Sequence, residues 1–158
     1  MTIISIDPGF DRVGIAIIEK NNPKNTVIFS ECFNTNKKES ISQRILSVGT
    51  EVKRIINEYK PVALAIEKLY ITNNQKTAMA VAEARGVIIY EAMRAGIALY
   101  EYTPGEIKVA VTGYGKADKS MVMSMIPKLV DMKVVSNSDD ELDAIAIGLT
   151  CIACEKFN

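Results

Sequence analysis

Apolar residues in the first third of the chain fall in short runs separated by turn-forming clusters. Ile3 to Ile6 runs into Asp7-Pro8-Gly9, Val13 to Ile18 follows, and Thr26 to Phe33 comes after the polar cluster Asn21-Asn22-Pro23-Lys24-Asn25. Runs of this length bounded by Pro, Gly and Asn predict three strands joined by tight connections, an antiparallel meander. The period then changes. Ile41, Ile45, Val48, Val52 and Ile55 recur at helical spacing, with Ser40 placed as a cap and Pro61 beyond the end. Val62 to Ile66 is a continuous apolar run of strand length, suited to a buried parallel strand. The pattern next predicts a long helix over Gln75 to Ala95 and a fifth strand over Ile97 to Tyr102. After Pro104 it reads as wholly helical: near Glu106, from Lys119 to Val130, and from Asp139 to Lys156. The fold class expected is α/β, a mixed five-stranded sheet flanked by helices. A right-handed crossover places Val62 to Ile66 beside the first strand and parallel to it.

The 158 residues, 48% of them hydrophobic, suit one core, and no repeat or Gly/Ser-rich linker divides them. A single domain over 1–158 is expected. No apolar run approaches the roughly 20 residues of a membrane helix. Met1 to Ile6 lacks the basic start of a signal peptide, so the expected location is cytoplasmic, without membrane contact. Cys32, Cys151 and Cys154 are an odd number, against a disulfide framework. Cys151 and Cys154 form a C-x-x-C, but without a second ligand pair or any histidine they read as buried thiols in a helix. Nineteen basic and nineteen acidic residues cancel. Composition by itself therefore does not point to nucleic acid, whose partners are usually basic.

The acids are more informative by position than by number. Asp7 ends the first strand and Glu67 the fourth. If those strands are parallel neighbours, both acids emerge at one sheet edge. Asp140 and Asp143, three apart near the start of the last helix, share one of its faces. Each has an ordinary alternative: Asp-Pro-Gly makes a good turn, Glu67 can be solvated, and acids favour a helix start. Asp143 opens the apolar run Ala144 to Ile147 and should face inward. With no Lys or Arg beside Asp140 or Asp143 in sequence, four converging acids repel one another unless cations join them. Oxygen-only ligands favour Mg²⁺ or Mn²⁺, and two such ions about 4 Å apart suit phosphodiester hydrolysis. The absence of histidine removes imidazole bases and His-dependent triads. Neither a P-loop nor a G-x-G-x-x-G after a strand is present.

Five blocks in order carry a resemblance: Ile6-Asp7-Pro8-Gly9 with Val13-Gly14-Ile15-Ala16; Ala65-Ile66-Glu67-Lys68-Leu69-Tyr70; Ala82-Glu83-Ala84-Arg85-Gly86-Val87; Lys108 to Ser120; and Asp140-Glu141-Leu142-Asp143-Ala144-Ile145-Ala146-Ile147. Together they span nearly the whole chain, which resembles the RuvC family of Holliday-junction resolvases, with an RNase H-like fold. The resemblance implies a homodimer that binds four-way junction DNA and nicks two opposing strands symmetrically in recombination and repair. It implies Asp7, Glu67, Asp140 and Asp143 as catalytic metal ligands for two Mg²⁺ ions per subunit, with Mn²⁺ as a substitute. Lys108, Lys116 and Lys119 fall in its basic segment and Tyr70 at its base-stacking position, so these are the implied DNA contacts. A branch-migration motor of the RuvA–RuvB type is an implied partner, and the helix Gln75 to Ala95 an implied dimer element. Without the resemblance, the lysines read as a solvated surface and Tyr70 as an edge aromatic. Asp139, beside Asp140, competes for the third ligand position on proximity alone.

Other readings stay open on sequence. Asp11-Arg12-Val13-Gly14 is similar to RNase H-like nucleases that trim ribosomal RNA precursors. An actin-like ATPase half shares the opening strand and acidic turn, but needs phosphate-binding glycine loops that are not visible. A junction-binding protein without catalysis gains nothing from four acids beside phosphates.

Overall fold

The computed structural model describes residues 1–69, 75–134 and 138–157. Its strands are β1 (Thr2–Asp7), β2 (Arg12–Glu19), β3 (Asn25–Asn34), β4 (Ala63–Glu67), β5 (Ala98–Tyr102) and β6 (Val130–Met132). Its helices are α1 (Ile41–Tyr59), α2 (Gln75–Arg94), α3 (Pro104–Thr112), α4 (Lys119–Leu129) and α5 (Asp139–Cys154). The sheet runs β5-β4-β1-β2-β3-β6. The meander β1-β2-β3 is antiparallel, and β4 lies parallel to β1 as the crossover rule requires.

Among the described residues the expected five strands are corrected to six. Val130–Met132 leaves α4 directly and pairs in parallel with Asn25 to Val27 of β3. Three residues carry no periodicity of their own, so the strand exists only because the exposed edge of β3 offers unpaired backbone groups. The reading of everything after Pro104 as helical fails there for that reason.

Local signals otherwise set the boundaries. Ser40 caps α1 in a capping box with Gln43, Thr103 and Glu106 do the same for α3 with Pro104 in its first turn, and Asp118 caps α4. Lys60 closes α1 in the left-handed conformation, φ 46°.

Alternation along the strands sorts side chains onto two faces. One face presents Ile4, Ile6, Val13, Ile15, Ile17, Leu64 and Ile66 to α1 and α2. The other presents Ile3, Ala16, Ile18 and Ala65 to α3, α4 and α5. Among the described residues no helix is long and apolar enough to cross a membrane. All three cysteines are free; Cys151 is buried, whereas Cys154 is exposed rather than buried as expected.

Candidate active site

Parity decides where the first two acids go. Ile4 and Ile6 face α1 and α2, so Asp7 projects on the α5 face. On β4, Leu64 and Ile66 face the same way as Ile4 and Ile6, so Glu67 joins Asp7. Ile6 pairs with Ile66 in the parallel ladder, which puts the two acids side by side at the ends of adjacent strands.

The last two acids arrive because the α5 face is made of small residues. Gly14 lies opposite Asp7 on β2. A Cβ on Gly14 would stand 2.0 Å from the backbone oxygen of Asp140, so only glycine lets the first turn of α5 rest on the sheet there. Further along, a Cβ on Gly148 would meet Ser5 Oγ and Ile18 Cδ1 at 2.6 Å. Two close approaches fix the line of α5 across β1 and β2. Its start is pinned again by buried Glu141, which accepts from Ser30 Oγ at 2.6 Å and Ser138 Oγ at 3.1 Å. Glu141 is thereby an anchor between β3 and the helix. The strand end carrying Glu67 has its own brace: Arg85 of α2 donates to the Glu67 carbonyl at 3.1 Å and pairs with Glu101.

The acids act on one another electrostatically. Burial pushes the Asp7 carboxyl up to about 7, helped by the charges of Asp143, Glu67 and Asp140 and opposed by Lys119. Glu67 is raised by burial and then by Asp143. Asp143 is raised chiefly by burial, against the pull of Lys119. Ionising all of them at neutral pH is costly without added positive charge.

Part of that charge comes from bases distant in sequence. Lys119 Nζ sits 3.0 Å from Asp143 Oδ2 and 3.4 Å from Asp139 Oδ2. Arg12 Nε lies 3.3 Å from Asp140 Oδ2, and Cys32 donates its thiol to the same oxygen at 3.5 Å. No Lys or Arg stands beside Asp140 or Asp143 in sequence, and the fold brings both bases from other segments. With the side chains so engaged, no three acids among the described residues close around an ion position. The donor set is nevertheless all carboxylate oxygen at one sheet edge, which suits a hard divalent cation.

Lys108 and Lys119 line a cavity of about 230 Å³ together with Glu67 and Asp143, over a floor of Ile107, Val122, Ala146 and Ile147. Lys116 is exposed on the turn between α3 and α4 and does not line it. Tyr70 lies outside the described residues. Asp139 is separated from Asp140 by exposure: its side chain is 74% exposed, that of Asp140 20%. Sequence reasoning missed Arg12, Arg85 and the contact role of Gly14. Only Gly14 left a signal, since a two-strand register with a short turn sets it opposite Asp7.

Residues 3–151 match the family model described as crossover junction endodeoxyribonuclease RuvC. A relative of that description from Halothermothrix orenii is 42% identical over 149 residues, 94% of this chain and 90% of the relative. Another, from Petrotoga mobilis, is 38% identical over 146 residues, 92% and 90% of the two chains. The solved structure of Thermus thermophilus RuvC in complex with Holliday junction substrate superposes with a TM-score of 0.89 at 27% identity, covering 97% of this chain and 93% of that one. The RNase H-like architecture is thus shared throughout. Sequence and fold agree that this chain belongs to the RuvC family of crossover junction endodeoxyribonucleases.

Proposed function

We propose that this chain resolves Holliday junctions, with Asp7, Glu67, Asp140 and Asp143 as its metal-binding catalytic acids. The carrying observation is that these four, from three distant segments, meet on the one sheet face where glycine admits a helix. Family membership implies dependence on a divalent metal. Mg²⁺ is the ion proposed, two per subunit with Mn²⁺ as a substitute, because every donor is a carboxylate. When bound, it supplies the Lewis acidity and charge neutralisation that phosphodiester hydrolysis requires.

The remaining roles belong to the chain itself. Asp7, pushed up to about 7, gives up its proton as positive charge enters. Lys108 and Lys119, beside Glu67 and Asp143, hold the phosphate next to the acids. Exposed Lys116 adds a backbone contact at the rim, and Tyr70 a stacking platform for an unpaired base. The whole chain acts as one cytoplasmic nuclease domain. A homodimer matches the two-fold symmetry of a four-way junction. Supporting it, α2 buries Ala84, Ile88 and Ala92 inwardly while exposing Met79, Ala82, Gly86, Tyr90 and Met93 at helical spacing. A RuvA–RuvB type motor is the proposed source of the junction.

The test offers a synthetic four-way junction, linear duplex and single-stranded RNA, with Mg²⁺ or EDTA. Paired symmetric nicks in the junction alone are expected, absent with EDTA and absent in Asp7→Asn while binding persists. Cleavage of RNA with an intact junction overturns the substrate. Binding without cleavage in any metal reduces the chain to a recognition module. For the third ligand, Asp140→Asn abolishes cleavage and Asp139→Asn does not; the reverse result would move the site by one residue.

A further inference from the structure

Arg12 stands at a boundary of the acidic site. Its guanidinium reaches Asp140 at 3.3 Å, yet 63% of the side chain is exposed. On its other side opens a groove of about 760 Å³ between the β1–β2 turn, the end of β3 and α2. Phe10, Asp11, Asn34, Lys37 and Asp140 are among the residues that line that groove. Arg12 is therefore shared between a candidate metal ligand and a path leading away from the site.

Charge decides between these engagements. A single positive charge in an exposed pair holds a carboxylate weakly. A divalent ion held by Asp140 together with Asp7 and Asp143 would carry twice the charge and would compete with the guanidinium for that carboxylate. The freed arginine has a long flexible stem and the groove beside it, where Lys37 adds a second positive charge, offset in part by Asp11 at 3.9 Å. Guanidinium groups recognise phosphate oxygens in a bidentate way. A strand leaving the cleavage position along this groove brings a phosphodiester within reach.

We propose that Arg12 is an exchangeable counter-ion: it competes with the divalent metal for Asp140 and, once displaced, binds a DNA phosphate in the adjoining groove. The inference rests on the reading of Asp140 as a metal ligand. It makes Arg12 a positioning residue that couples metal loading to DNA grip without touching the reacting atoms.

The test uses Arg12→Gln, which removes the charge and keeps an unbranched polar side chain, beside Asp140→Asn as a control. Mn²⁺ binding is measured without DNA by the loss of free-ion paramagnetic resonance signal. Arg12→Gln is expected to bind Mn²⁺ about two- to five-fold more tightly, the range an exposed ion pair accounts for. Four-way junction binding is then followed by fluorescence anisotropy over a salt series, in Ca²⁺ and in EDTA. Arg12→Gln should weaken binding in Ca²⁺ more than in EDTA, and lower the salt slope by about one in Ca²⁺. Unchanged or weaker Mn²⁺ binding, with Asp140→Asn still impaired, overturns the competition and leaves the metal site standing. Equal losses of junction affinity in Ca²⁺ and EDTA overturn the exchange. If Asp140→Asn binds Mn²⁺ like the parent, the metal-ligand reading fails first and takes the inference with it.

Discussion

The two faces of the sheet are built on opposite principles. Toward α1 and α2 the strands present large β-branched and branched residues, Ile4, Ile6, Val13, Ile15, Ile17, Leu64 and Ile66, all fully buried. Toward α5 the same strands keep Ile3 and Ile18 but otherwise present Ser5, Gly14, Ala16 and Ala65, and α5 answers with Ala144, Ala146 and Gly148. Large side chains keep a helix at the ordinary distance and tolerate many packings. Small ones bring backbone close to backbone, so the helix has one position. The first face stabilises the molecule by buried apolar area; the second spends some of that area to place Asp140 and Asp143 beside Asp7 and Glu67.

Separating the two roles by mutation is the strongest way to break this comparison. Gly14→Ala should have the largest effect, on activity. Its Cβ would fall 2.0 Å from the Asp140 backbone oxygen, so the start of α5 must move. A displacement on the order of 1 Å at reacting groups costs roughly 100-fold in rate, with only about 1–3 kcal/mol of stability lost to overpacking. Junction cleavage and chemical denaturation measured on one preparation check both numbers. Comparable activity in Gly14→Ala would mean that α5 is not positioned by this contact.

The other face should answer in the opposite way. Ile17→Ala, at a fully buried position, is expected to cost about 2–5 kcal/mol. Its specific activity at a permissive temperature should match the parent, because Ile17 pairs with Ile4 and Phe29 in the sheet and faces away from α5. Loss of specific activity without loss of stability would erase the distinction between the faces.

Asp7 sharpens the comparison through pH. Its folded carboxyl lies near 7 against the ordinary value of 3.8. Below about 4 both folded and unfolded chains hold the proton, and nothing is lost. Between about 4 and about 7 the unfolded chain releases it first, so stability falls with rising pH; above 7 the whole penalty stands. In EDTA, Asp7→Asn should therefore melt above the parent at pH 8 and with a much smaller difference at pH 4. Saturating Mg²⁺ should narrow the pH 8 gap by stabilising the parent's ionised acid. A gap that ignores both pH and Mg²⁺ would show that Asp7 is neither buried nor crowded by its neighbours.

Legibility followed the same division. Strands rich in Ile and Val announce themselves by period, and capped helices by Ser40 and Pro104, so the main elements were readable within a residue or two. The convergence of Asp7 and Glu67 was readable too, since it needs only alternation and a parallel pairing. What stayed hidden depends on contacts between segments far apart in the chain. Arg12 meets Asp140, Arg85 meets the Glu67 carbonyl, and β6 exists because β3 has a free edge. Periodicity carries none of these, because each is decided by the assembled sheet rather than by the segment that supplies it.

Ser5 gives the smallest effect and the finest test of what the α5 face is for. It lies between Ile3 and Asp7 on that face, fully buried, and its hydroxyl has no hydrogen-bond partner among the described residues. An unpartnered buried hydroxyl is a cost of about 1–3 kcal/mol. Small size alone would be met as well by alanine, which also leaves Gly148 its room. Ser5→Ala is therefore expected to stabilise the protein by about 1 kcal/mol with unchanged cleavage, read from the denaturation midpoint and the junction assay. If it stabilises but slows cleavage, the hydroxyl has a function in the site two residues away, and compactness is only half the reason this face is small. If it destabilises, the hydroxyl is satisfied in solution, and the face is more polar than its side chains suggest.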